Sequence, residues 1–164
     1  VLWAGSNDIF RIRRDDKVDL RHSIERATNN LEAAITRLYD LGGRNVIVAT
    51  RTPRARLETD DNLNGRDLNQ AIEQLIARHP ARAGLTIDVF DAYASISDMT
   101  LNPRHYGFSD NVHDLCIENS ACVAEQFEDG LQVADGYINW DAAHKTTRVH
   151  RLMAHQLGWM LAHK

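Results

Sequence analysis

The sequence has no apolar run approaching the roughly 18 to 20 residues that span a bilayer, and no charged, apolar and small-residue leader at its start. It also lacks an excess of positive charge. With 19 Lys and Arg against 23 Asp and Glu, the formal charge is -4. No basic stripe is available to displace counterions from phosphates, so nucleic acid is not an expected partner. No glycine-rich loop opens a helix, which argues against a nucleotide-binding domain of flavodoxin-like type; Gly42 and Gly43 follow a helical pattern and act as its stop. Internal repeats, low-complexity tracts and a clear second-domain boundary are missing. What remains, 164 residues with 43% apolar and 26% charged content, is the composition of an ordinary globular domain.

Cysteine is scarce: Cys116 and Cys122 stand alone, in DLCIENSACV. The pair is not CxxC and has no second pair at ligand spacing, so zinc is unsupported. The spacing suits a small disulfide loop, which would place the protein in an oxidising compartment, secreted or periplasmic; two free thiols in a reducing compartment are the alternative. Val1, Leu2, Trp3 and Ala4 form an apolar, strand-like start with no polar lead-in. This start raises the expectation of a segment upstream; a mature terminus left by signal cleavage is the alternative.

From Leu20 to Leu41 the apolar positions Leu20, Ile24, Ala27, Leu31, Ile35, Leu38 and Leu41 recur at steps of three and four, one face of an amphipathic helix. RNVIVAT follows, a β-branched run of the kind buried on both faces of a parallel sheet. The same grammar repeats. Leu68, Ala71, Ile72, Leu75 and Ile76 set a second stripe, His79-Pro80 closes it, and LTIDVF supplies a second strand. Such alternation predicts a layered α/β fold with a parallel sheet. Residues 92–136 show no sustained period and read as a long ordered excursion, a lid or binding wall. A final amphipathic helix from about Thr147 to Leu161 carries Val149, Leu152, Met153, Leu157, Met160 and Leu161 on one side.

The pattern of interest for chemistry is Asp141-Ala142-Ala143-His144. An Asp within reach of a His ring nitrogen selects its tautomer and steadies the imidazolium formed when the other nitrogen takes a proton from a serine. The spacing itself is uninformative, because Asp19/His22 and Asp110/His113 repeat it. The setting separates them: the third copy follows the apolar YINW and directly precedes a helix, where α/β sheets place their ligand crevices. His150, His155 and His163 lie on or near the last helix without any HExxH-like pattern, so no metal site is expected. Trp3 and Trp140 flank the motif segments and read as core or pocket-wall residues.

Several segments, in order, resemble the SGNH/GDSL family of lipases and esterases. WAGSNDI, with Gly5, Asn7 and Asp8, is similar to the family's third block, G-x-N-D. NPRHYGFSDNVHDLC is similar to the N-P-x-x-Y-G-F segment of secreted members, and LYDLGGRNVIVATRTP to the passage after the third block. INWDAAHKTTRVHRLMA is similar to the fifth block, with its D-x-x-H before the last helix. The resemblance implies a three-layer α/β/α sandwich of flavodoxin-like appearance with a parallel sheet, of which residues 1–164 form the carboxy-terminal part of one domain. It implies roles as well: His144 as general base and acid, Asp141 as its orienting carboxylate, Asn7 as oxyanion-hole donor, and Gly5 and Asp8 as residues that order the loop around Asn7. Lys145 stands where the family usually has Pro, a departure expected to loosen the turn.

The family's G-D-S nucleophile block and its glycine-bearing second block have no counterpart here; Ser109 in GFSD is only a visual decoy. The resemblance therefore implies a serine on a companion amino-terminal segment, an inactive chain in isolation, and no metal or organic cofactor. The implied substrate is a carboxylic ester, from lipids, lysophospholipids or choline esters to short acyl esters. A non-catalytic binding or regulatory fragment is the competing reading.

Overall fold

The helical stripe beginning at Leu20 lies on α1, Lys17–Asp40, in a computed structural model that describes residues 1–10, 12–13, 15–55, 59–125 and 133–163. The Asp16 carboxylate caps α1 by accepting from Asp19 N at 3.0 Å. At the other end Gly42 takes φ +95°, and Gly43 N donates to Leu38 O at 2.8 Å. Only a residue tolerant of the left-handed region closes a helix in this way, which is why the glycine pair is the stop.

The chain forms two compact units, one of residues 1–52 and 58–92 and one of residues 53–57 and 93–164. In the first, β1 (Asn45–Ala49) and β2 (Thr86–Phe90) pair in parallel, in register from Asn45 opposite Thr86 to Ala49 opposite Phe90. Parallel strands need a long crossover, supplied here by α2, Asp60–Arg78. On β1, Val46, Ile47, Val48 and Ala49 are all buried, as a doubly covered strand requires. Leu20, Ala27, Leu31 and Ile35 of α1 share one core with Val46, Val48, Leu68, Ile72 and Leu75. Each fully buried Leu, Ile or Val among them contributes about 1.5 to 3 kcal/mol. The fold class is thus α/β with a parallel sheet, as the alternation predicts.

Three local expectations change. The strand-like start reduces to a single parallel bridge of Leu2 with Val48, and Trp3 is 44% exposed rather than a core residue. Second, α2 begins well before its apolar stripe, capped by Thr59, because its opening turns bury polar side chains instead. Asn64 Nδ2 donates to Ile12 O at 2.8 Å. Asn69 accepts from Arg51 N at 2.7 Å and donates to Arg51 O at 3.0 Å, completing the backbone just beyond β1 as a strand would. Third, the excursion after residue 92 opens with a helix, α3, Ala92–Leu101. Its buried Ala92, Ile96 and Met99 are spaced four and three apart, a stripe too narrow to stand out among Ser95, Ser97, Asp98 and Thr100.

The second unit continues with a 3-10 turn at Pro103–Tyr106, the short helix α4 (Ser120–Glu125) and α5 (Thr147–Ala162). The Y-G-F segment is structural. Gly107 has φ +75°, Phe108 is buried, and Arg148 of α5 donates from Nε to Tyr106 O at 3.1 Å while its guanidinium lies over the Phe108 ring. Cys116 and Cys122 form a disulfide with Cα atoms 5.5 Å apart, both fully buried among Ala134, Val133, Tyr137 and Trp140. Part of the predicted excursion, residues 126–132, lies outside the described residues. On α5, Val149 and Met153 are buried, but the predicted apolar face fades towards its end, where Leu161 is exposed. Among the described residues no helix is long and apolar enough to cross a membrane.

Candidate active site

Of the three D-x-x-H copies, one forms a pair. His144 Nδ1 lies 2.8 Å from Asp141 Oδ2 and 3.0 Å from Oδ1. Asp110 instead takes Arg104, with Nε at 2.9 Å, and His113 Nδ1 meets Ala55 O at 2.8 Å. Asp19 sits in the capped first turn of α1, with His22 exposed beside the helix start.

The turn itself makes the pairing. Asp141 Oδ1 accepts from the backbone N–H groups of Ala143 and His144, both at 2.7 Å, so the carboxylate is fixed before the imidazole reaches it. Partial burial pushes the Asp141 carboxyl up. Hydrogen bonds from the His144 ring and from the two backbone N–H groups, with the electrostatic attraction of His144, outweigh that effect and hold it below the ordinary carboxylate value. The carboxylate therefore stays charged, orients Nδ1–H towards itself, and leaves Nε2 for a second partner. The side chains are 75% exposed for His144 and 31% for Asp141, so that second nitrogen is reachable.

The flanks are anchored. Trp140 N donates to His144 O at 2.9 Å and Thr146 N to Ile138 O at 3.1 Å, closing residues 138–146 into a small antiparallel loop around Asn139 and Lys145. Cys116 N and Ile117 N donate to the carbonyls of Asn139 and Trp140, each at 3.0 Å, which ties the disulfide segment to this loop. Lys145 lies within this loop, opposite Asn139. It is only 8% exposed, and its Nζ donates to Asn139 Oδ1 at 2.6 Å, because the long side chain folds inward along the loop instead of out to solvent. Asn139 escaped sequence reasoning; its signal was a carboxamide inside the apolar YINW run, where only a satisfied polar group is tolerated.

The G-x-N-D segment lies in the first unit. Gly5, with φ +101°, precedes a 3-10 turn of Ser6–Asp8, and a Cβ at Gly5 would stand 3.4 Å from Leu68 Cδ2. Ile9, fully buried, anchors the turn in the core. Asn7 is exposed, and its carboxamide makes no hydrogen bond to another described residue. Asp8 approaches Arg26 Nε at 3.8 Å. Among the described residues no group of three or more His, Cys, Asp or Glu is placed to hold a metal ion.

Asp141 and His144 are thus paired in a loop closed by the Asn139–Lys145 bridge, directly before α5, in a chain whose sheet is parallel. The chain belongs to the GDSL-like lipase/acylhydrolase family, whose model matches residues 1–157. It is similar to the thermolabile hemolysin of Vibrio parahaemolyticus serotype O3:K6 (strain RIMD 2210633), 24% identical across 94% of this chain and 41% of that protein. Two GDSL esterase/lipases of Arabidopsis thaliana are 29% identical over 75% of the chain and 24% identical over 93%, covering 40% and 48% of those proteins. The chain thus spans less than half the length of these curated relatives.

Proposed function

We propose that this chain carries the base and the orienting carboxylate of a carboxylic ester hydrolase, residues 1–164 being the carboxy-terminal part of a single SGNH hydrolase domain. The observation that carries the reading is the Asp141–His144 pair, with Nδ1 at 2.8 Å and Nε2 on an exposed ring. Family membership supports it.

In this reading the nucleophile is a serine on a segment outside these residues, since no G-D-S occurs in the sequence. His144 Nε2 takes the serine proton as Oγ bonds to the acyl carbon, then returns it to the departing alcohol. In the second step it takes a proton from water as the water oxygen bonds to the acyl carbon, then returns that proton to serine Oγ as the acyl–Oγ bond breaks. Asn7 donates to the oxyanion of both tetrahedral intermediates, a contribution of about 3 to 4 kcal/mol for a preorganised donor. Gly5 and Asp8 hold the turn that presents it. The substrate is a lipid or short acyl ester, and the buried disulfide favours a secreted or periplasmic setting.

The test is hydrolysis of p-nitrophenyl esters of increasing chain length by the serine-bearing protein that contains this chain. The reading expects turnover that collapses in His144→Ala; turnover insensitive to that substitution contradicts it.

A further inference from the structure

Resting on the reading of His144 as a base, we propose that Lys145 is a positioning residue for it: an internal ammonium, seated on Asn139, holds rigid the turn that presents Asp141 and His144. An ammonium is costly to remove from water unless satisfied. This one is nevertheless drawn inside.

The contacts show what it holds. Lys145 Nζ donates to Asn139 Oδ1 at 2.6 Å, and Asn139 Nδ2 donates onward to Val112 O at 2.9 Å. Asn139, 2% exposed, also receives Cys116 N on its carbonyl at 3.0 Å. The loop of residues 138–146 is therefore closed twice, by its backbone bonds and by a side-chain strut across its middle, and the strut continues into the disulfide segment. Asp141 and His144 lie on the arc between the two ends of the strut, so loosening it frees the arc without touching either residue.

Nuclear magnetic resonance on the full chain tests this without needing a nucleophile. The readouts are the titration midpoint of the Asp141 carboxyl and the exchange protection of the Ala143 and His144 amides. In Lys145→Met the midpoint is expected to rise towards the ordinary carboxylate value and amide protection to fall by about tenfold. Lys145→Arg, which keeps a charged donor on the inward-folded side chain, is expected to preserve both. An unchanged Lys145→Met overturns the proposal, as does a Lys145→Arg chain that behaves like Lys145→Met. Should Lys145→Met not fold, the unsubstituted chain decides: a Lys145 Nζ resonance slowed in solvent exchange supports the strut, and one exchanging like a surface ammonium overturns it. In the serine-bearing protein, Lys145→Met lowers kcat with KM unchanged and Lys145→Arg restores it. A lack of ester hydrolysis would defeat the functional reading while leaving the resonance result standing.

Discussion

His144 Nδ1 sits 2.8 Å from Asp141 Oδ2, and the same carboxylate accepts the backbone N–H of His144 at 2.7 Å. One residue thus holds both the ring and the main chain of the other. Asp141→Asn keeps an acceptor for the backbone but loses the charge and can present N–H to Nδ1, favouring the wrong tautomer. The expected outcome in the serine-bearing protein is a fall in kcat of about ten-thousand-fold with little change in folding. Steady-state kinetics beside a thermal melt check it.

The pH dependence of this pair has a definite sign. The folded value of Asp141 lies below its ordinary 3.8. A depressed carboxyl contributes stability that is present above the unfolded value and lost as pH falls through the folded one. The pair is therefore expected to persist at neutral pH and to dissolve only below 3.8, observed as a shift of the Asp141 carboxyl resonance at a midpoint under that of a free aspartate.

Reducing the buried Cys116–Cys122 bridge removes a constraint on a short loop. The expected cost is about 2 kcal/mol in the chain-entropy model. Denaturant unfolding with and without reductant measures it. Because Cys116 N is bonded to Asn139 O, the amides of residues 138–146 should lose protection together with the disulfide segment.

Gly107→Ala puts a Cβ on a residue at φ +75°, where it collides with Arg148 Nη2. The arginine end can move, at the expense of its place on Tyr106 O and Phe108; the backbone cannot. A loss of about 1 to 2 kcal/mol is expected, read from the urea midpoint at constant m-value.

Where one physical signal governed, the sequence was legible. The stripe predicted from Leu20 to Leu41 is helical but buried only as far as Ile35, with Leu38 and Leu41 exposed at the helix end, whereas the glycine stop at Gly42 and the buried run Val46–Ala49 each answer to a single demand and appear where expected. The opening of α2 did not, because Asn62, Asn64 and Asn69 are buried as hydrogen-bond partners and no hydropathy period marks them. Helix α3 was lost for a different reason, because its apolar stripe of Ala92, Ile96 and Met99 is narrow and set among polar residues. At the site, spacing offered three equivalent Asp and His pairs, and only the setting before the last helix singled out the one that forms. The inward fold of Lys145 had no local signal: its partner, Asn139, faces it only once the loop has closed.

The most direct measurement for the central claim is intact-mass analysis of the serine-bearing protein after treatment with a fluorophosphonate, which marks activated serines, with the labelled peptide mapped. The account predicts one label, on a serine outside residues 1–164, and loss of labelling in His144→Ala. Labelling of a serine within these residues, or labelling that survives His144→Ala, would contradict it.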